Sequence, residues 1–242
     1  MAELRYPTQT GSRAEIDPGL RAYMLRVYNY MGAGLALTGV AAYATFHAAV
    51  DAAGQLTPFG AAIFTSPLKW VVIFAPLALV MLLSFGVQRM SVAAAQLAFW
   101  VYAALVGVSL ASLGLIYTAN SLTQVFLVTA ATFGAVSLYG YTTKRDLTGM
   151  GSFLFMGLIG LVIASIVNIF LQSSAMSFVL SAVGVIVFTG LTAWDTQKIK
   201  EIYFEGDDTV VMGRKAIMGA LSLYLDFINL FLSLLRLMGN RE

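Results

Sequence analysis

Two stretches of this chain, Met90 to Thr143 and Leu147 to Trp194, contain no Asp, Glu, Lys or Arg. About 20 apolar residues in a helix cross a hydrocarbon core roughly 30 Å thick, and no soluble core needs uncharged runs this long. Composition agrees. The chain is 59% hydrophobic and 11% charged, whereas soluble domains carry about 25% charged residues. The apolar residues run on continuously rather than alternating, so a β-barrel is excluded. The expected fold class is an all-α, polytopic membrane protein.

Several function classes fall away. A net charge of +2 gives no reason to expect nucleic acid as a partner, and the absence of cysteine excludes disulfides and thiolate chemistry. The one histidine, His47, cannot build a His-rich metal site and reads as a residue near the end of the first membrane helix. Residues 1–22 are polar and lack the apolar core of a signal peptide. They are expected to form a flexible cytoplasmic tail before a transmembrane domain over residues 23–242, with the first membrane helix serving as anchor and insertion signal.

Seven spans are expected, near Tyr23–Ala49, Lys69–Val87, Val92–Tyr117, Leu122–Tyr141, Met150–Leu171, Ala175–Lys198 and Ile217–Met238. The first is rich in Gly and Ala, which lets membrane helices approach closely. Between the first two spans, Phe59 to Phe64 is a short apolar piece suited to the interface. Pro76 lies inside the second span and removes one backbone hydrogen bond there. Lys and Arg crowd into the N-terminal tail and the loops after spans two, four and six, whereas the other loops carry only Lys69. That asymmetry places the N-terminus in the cytoplasm and, with seven spans, the C-terminus outside. Arg236 and Arg241 run against the bias, which leaves open a six-span or re-entrant form of the last segment.

The last segment is the unusual one. Asp226 stands in its middle, and Ser222, Asn229, Ser233 and Arg236 fall at −4, +3, +7 and +10 from it. On a helix of ~3.6 residues per turn these trace one polar stripe. A charge at mid-membrane costs at least ~2.5 kcal/mol, so it faces a bundle interior or a water-filled cavity. The last helix is therefore expected to be central. The only other acid within a long apolar run is Asp195, near the end of span six with Thr192 one turn earlier. Two close carboxyls in a low-dielectric site do not both ionise cheaply and hold a proton between them. Doubly ionised, they offer hard oxygens suited to Ca²⁺. The plainer reading is a structural pair that fixes helix register. Arg236 reads first as an interfacial anchor and Arg89 as a positive-inside marker, and each second as a latch or counter-charge for the acids. The Gly-x-Gly-Asp motif of intramembrane aspartyl proteases is missing, because Leu223, Tyr224 and Leu225 precede Asp226. Span seven has no internal lysine for retinal, no Gly-rich phosphate loop appears, and His47 is remote from any Gly-x-Ser motif, so no enzyme and no cofactor is expected.

Ala220–Gly239 (ALSLYLDFINLFLSLLRLMG), Val183–Lys200 (VGVIVFTGLTAWDTQKIK) and Thr142–Leu171 resemble the Bax inhibitor-1 family, also called the transmembrane Bax inhibitor motif family. The resemblance covers spans three to seven well and the first two loosely. It implies a seven-helix bundle with the last helix in the middle and a pH-sensitive Ca²⁺ leak. It also implies that Asp195 and Asp226 form the hydrogen-bonded pair that senses pH. In that family an arginine at the end of helix two latches onto the pair, and Arg89 is the nearest match. An acidic residue that some bacterial members carry in helix two has no counterpart, since Lys69 to Gln88 contains no acid. The rival expectation is an interaction protein that modulates a membrane-bound ATP-dependent protease, with Met1 to Gly19 as its handle. A small-solute transporter has less support, for no internal repeat is visible. A bacterial inner membrane is the expected location.

Overall fold

The computed structural model describes residues 17–240. Their order is α1 (Pro18–Ala49), α2 (Pro58–Phe64), α3 (Leu68–Gly86), α4 (Val92–Leu110), α5 (Ala119–Thr142), α6 (Thr148–Leu171), α7 (Ser174–Glu201) and α8 (Thr209–Met238). Single turns of tighter helix extend α3 over Val87–Arg89 and α4 over Ala111–Leu115. Among the described residues the only β pairing is an isolated bridge between Val50 and Leu56.

Helix starts follow local chemistry. The side chains of Thr57, Ser91, Thr118, Ser173 and Asp208 each accept a backbone N–H from the first turn of the helix they precede. These satisfy donors that an α-helix leaves unpaired at its start. Asp17 does the same for α1, with Pro18 at the first helical position. Residues 18–22, expected in the tail, are therefore helical, and the rest of the expected tail lies outside the described residues. Pro76 sits buried inside α3 without ending it.

Seven of the eight helices are long, as expected. Six of them, α3 to α8, are long and apolar enough to cross a membrane. The seventh, α1, has 32 residues, and its Gly, Ala, Thr and Tyr content makes it less apolar than the others. It is still bound into the bundle, packing against α4 and α8. The short α2 bridges α1 and α3 where an interfacial piece was expected.

The last helix is the axis. It packs against α7, α1, α5 and α4, while α3 leans on α4 and α6 leans on α7. Ala216, Ile217, Ala220, Leu223, Tyr224 and Leu230 of α8 are fully buried. By contrast, only Gly151 and Leu154 of α6 are buried. Both ends of α8 are tied. At one end Arg214 Nε donates to Met90 O at 2.8 Å, on the connection between α3 and α4. At the other, Asn240 N donates to Ser121 Oγ at 2.8 Å and Thr118 N donates to Asn240 O at 3.3 Å. The connections at its two ends are those on either side of α4, so α8 traverses the bundle as α4 does. The last segment is thus one continuous helix of 30 residues rather than a re-entrant pair.

A hydroxyl node joins three helices in the core. Tyr224 OH and Thr38 Oγ1 lie 2.6 Å apart, and Thr38 Oγ1 also reaches Gly34 O and Ala103 O at 2.9 Å. Tyr224 stacks edge-on against Phe99 and Tyr102. Thr38→Val keeps the volume but leaves the Tyr224 hydroxyl and the Ala103 carbonyl without this partner. Orphaning a buried polar group costs about 1–3 kcal/mol. The expected result is a lower melting temperature in detergent, partly restored by adding Tyr224→Phe.

The loops at the basic pole are anchored on the end of α7. Gln197 accepts from Leu147 N and donates to Arg145 O, both at 2.8 Å, and Lys200 Nζ donates to Tyr141 O at 2.9 Å. Asp146 starts α6 by accepting from Thr148 N at 2.8 Å, and hydrogen bonds from Thr148 hold its carboxyl below the ordinary range. Its contribution is thus complete above about pH 4, the unfolded carboxylate value, and fades as the pH falls through the lowered folded value. Asp146→Ala should lower the melting temperature slightly at pH 7, and the difference should shrink near pH 3.

Candidate functional site

Asp226 and Asp195 reach each other across the α7–α8 interface. Gly219 of α8 faces Ile199 of α7, and Gly184 of α7 faces Ser233 of α8. That antiparallel register puts Asp226 level with Thr192, three residues from Asp195, or about 4.5 Å along the axis at ~1.5 Å per residue. Side chains on a helix tilt toward its own N-terminus. In an antiparallel pair, Asp195 and Asp226 therefore lean toward one another and close the gap. Both acids line the same chamber.

Asp226 is only 5% exposed, and no donor among the described residues reaches its Oδ2. An unpartnered carboxylate oxygen so deeply buried is expensive. Two carboxyls this close in a low-dielectric site do not both ionise cheaply. Asp195 is half-buried, with Lys198 one turn beyond it toward the basic pole. The Lys198 ammonium lies 4.9 Å from the centre of the Trp194 ring.

The pair opens onto a chamber of about 630 Å³ between α6, α7 and α8. Ser222, Asn229, Ser233 and Arg236 all line it beside the two acids, and α6 supplies mainly apolar wall such as Leu158 and Val162. Gly184 makes room for Ser233, since a Cβ there would stand 2.6 Å from Ser233 Oγ. The structure thus brings together six of the seven residues singled out in the sequence. Arg89 is the exception. It is exposed on the turn after α3 and does not line the chamber. The only ion pair among the described residues is Lys215 with Asp207, far along α8.

Lys198 and a second, adjoining chamber were not anticipated from sequence. That chamber measures about 820 Å³ and is lined by Asn168, Gln172, Ser177, Ser181 and Arg236 among others. Its polar residues other than Arg236 are uncharged, so nothing in an apolar run marks them out except the clustering of Ser and Asn near the α6–α7 turn.

Among the described residues no group of three or more His, Asp or Glu is placed to hold a metal.

The model of the family described as inhibitor of apoptosis-promoting Bax1 matches residues 20–242. The chain belongs to this family. The resemblance seen in its C-terminal segments therefore extends across nearly all of it. Bacterial relatives match at full length. A Rickettsia prowazekii protein, RP147, is 50% identical over 97% of this chain and 96% of its own. The Escherichia coli inner membrane protein YbhL is 48% identical over 98% of this chain and 99% of its own. A Streptococcus pyogenes membrane protein, SpyM3_0260, is 36% identical over 93% of this chain and 96% of its own. This Bax-inhibitor-family chain is a multi-pass membrane protein.

Proposed function

We propose that the protein is a slow Ca²⁺ leak whose opening responds to protonation of the Asp195–Asp226 pair. The observation that carries this reading is a carboxyl oxygen that no donor among the described residues reaches, Asp226 Oδ2, buried in the helix bundle at the edge of a polar-lined chamber. Intramembrane acids of this kind mark ion and proton paths. With one proton the pair is a closed hydrogen bond between α7 and α8. Without it, two like charges share a low-dielectric site and attract a divalent cation instead. Protonation thereby biases the bundle between two packings. The basic pole, carrying Arg89, Lys144, Arg145, Lys198, Lys200, Arg214 and Lys215, lies in the cytoplasm on this reading, and the membrane is the bacterial inner membrane.

The test is Ca²⁺ entry into liposomes that carry the purified protein, wild type and Asp226→Asn, across roughly pH 5 to 8, where a coupled carboxyl pair titrates. Flux that titrates in the wild type and not in the variant supports the leak and its sensor. Folded protein that passes no Ca²⁺ at any pH overturns the reading.

A further inference from the structure

The two chambers meet at one charged side chain. Arg236 lines both, together with Ser165 and the apolar Ile169, Leu180 and Leu232. On one side stand Asp195 and Asp226. On the other the wall is hydroxyl and amide, with no carboxylate. The far chamber is bounded by Gln172 at the α6–α7 turn and by the end of α8, so it lies at the pole opposite Lys198. The direct path along α8 from that pole to the acids runs past the exposed guanidinium of Arg236, in the last turn of the helix.

From this arrangement we infer that Arg236 is a charged barrier between a polar vestibule and the aspartate chamber, limiting the passage of cations from the vestibule side. The inference deepens the leak reading, and rests on it for the identity of the ion. Several observations favour a barrier over a simple interfacial anchor. The four flanking side chains leave little else to interact with an ion at the junction, three of them being purely apolar. Arg236 is also the last polar member of the stripe that begins at Ser222, so it shares a helix face with Asp226. Its guanidinium is a planar cation with donors and no acceptor, which repels a cation rather than coordinating it. Its long side chain allows the charge to swing aside, which makes passage slow rather than forbidden.

The absence of cysteine from the chain makes the barrier directly measurable. Ser177→Cys places a thiol in the vestibule and Ser222→Cys places one in the aspartate chamber. Each is reacted in sealed proteoliposomes with a membrane-impermeant, positively charged thiosulfonate applied from the vestibule side, and Gln172→Cys reports which face is outward. The expected result is fast labelling of Ser177→Cys and labelling of Ser222→Cys at least ten times slower. Adding Arg236→Gln should bring the Ser222→Cys rate to within a few-fold of the Ser177→Cys rate and raise Ca²⁺ flux several-fold. Arg236→Lys, which keeps the charge, should leave both slow. If Arg236→Gln changes neither labelling nor flux, Arg236 is an anchor and the inference falls. If labelling opens as expected while neither form passes Ca²⁺, the barrier stands and the Ca²⁺ reading falls.

Discussion

Asp226→Asn is expected to flatten the pH profile of Ca²⁺ flux while leaving the protein folded. The amide introduced there has nearly the shape of the carboxyl and can donate to Asp195, so the α7–α8 hydrogen bond persists without a titratable proton. In the wild type a single proton governs the pair, and a one-proton equilibrium shifts populations by up to ~10-fold per pH unit on its limiting limb. In the variant Asp195 faces a permanent amide donor in place of a titrating carboxyl, and the slope is expected to flatten. The melting temperature should follow the same pattern. Raising the pH through the wild-type transition removes the shared proton and leaves two like charges in a site where Asp226 is 5% exposed, so wild-type stability falls there. The variant, which cannot lose that proton, should show no matching decline. A variant whose flux keeps the wild-type pH profile would remove Asp226 from the sensor.

The second large effect is expected at Gly140. It lies in α5 directly against the backbone of Ala193 in α7, and an added Cβ would run into the Ala193 carbonyl. Backbone in a packed helix does not yield as a flexible side chain does, and forced overpacking costs about 1–3 kcal/mol. Gly140→Ala should therefore lower the melting temperature markedly. Ala193 is two residues from Asp195, so any relief by moving α7 shifts the acid as well. The variant should accordingly alter the pH response at temperatures where it remains folded, and a larger residue such as Leu should abolish folded yield. Gly39 offers the control: nothing lies within 4 Å of a Cβ there, and Gly39→Ala should change neither stability nor flux.

The pattern of charge and hydropathy carries most of this architecture. Asp226 and its stripe point to a central last helix because an ionisable group at mid-membrane has to be enclosed, and α8 is the most enclosed of the six apolar helices. The capping side chains of Ser91, Thr118 and Ser173 stand within a few residues of the span starts that hydropathy alone indicates. Hydropathy places the start of α8 at Ile217, whereas the helix begins at Thr209, because Arg214 and Lys215 interrupt the apolar run. Both are accommodated by carbonyls at the basic pole, Met90 O and Ile202 O, and no sequence period announces such partners. The Asp195–Asp226 pairing looks unfavourable on depth alone. The two acids nonetheless share one chamber, because α7 continues past Lys198 to Glu201, which sets Ile202 rather than Lys198 beside Lys215, and because antiparallel side chains tilt toward each other. The vestibule stays hidden for a different reason. Asn168, Ser177 and Ser181 are single polar residues whose side chains bond locally within the α6–α7 hairpin, a behaviour that hides them in an apolar context.

The ties at the two ends of α8 have a mechanical meaning. Arg214 holds one end on Met90 and Asn240 holds the other on Ser121, so the helix behaves as an axle fixed in two bearings. It cannot slide lengthwise like a piston without breaking both. On the leak reading, repulsion between the two acids would be expressed sideways, toward the chamber wall with the fewest buried residues, α6, where only Gly151 and Leu154 are enclosed.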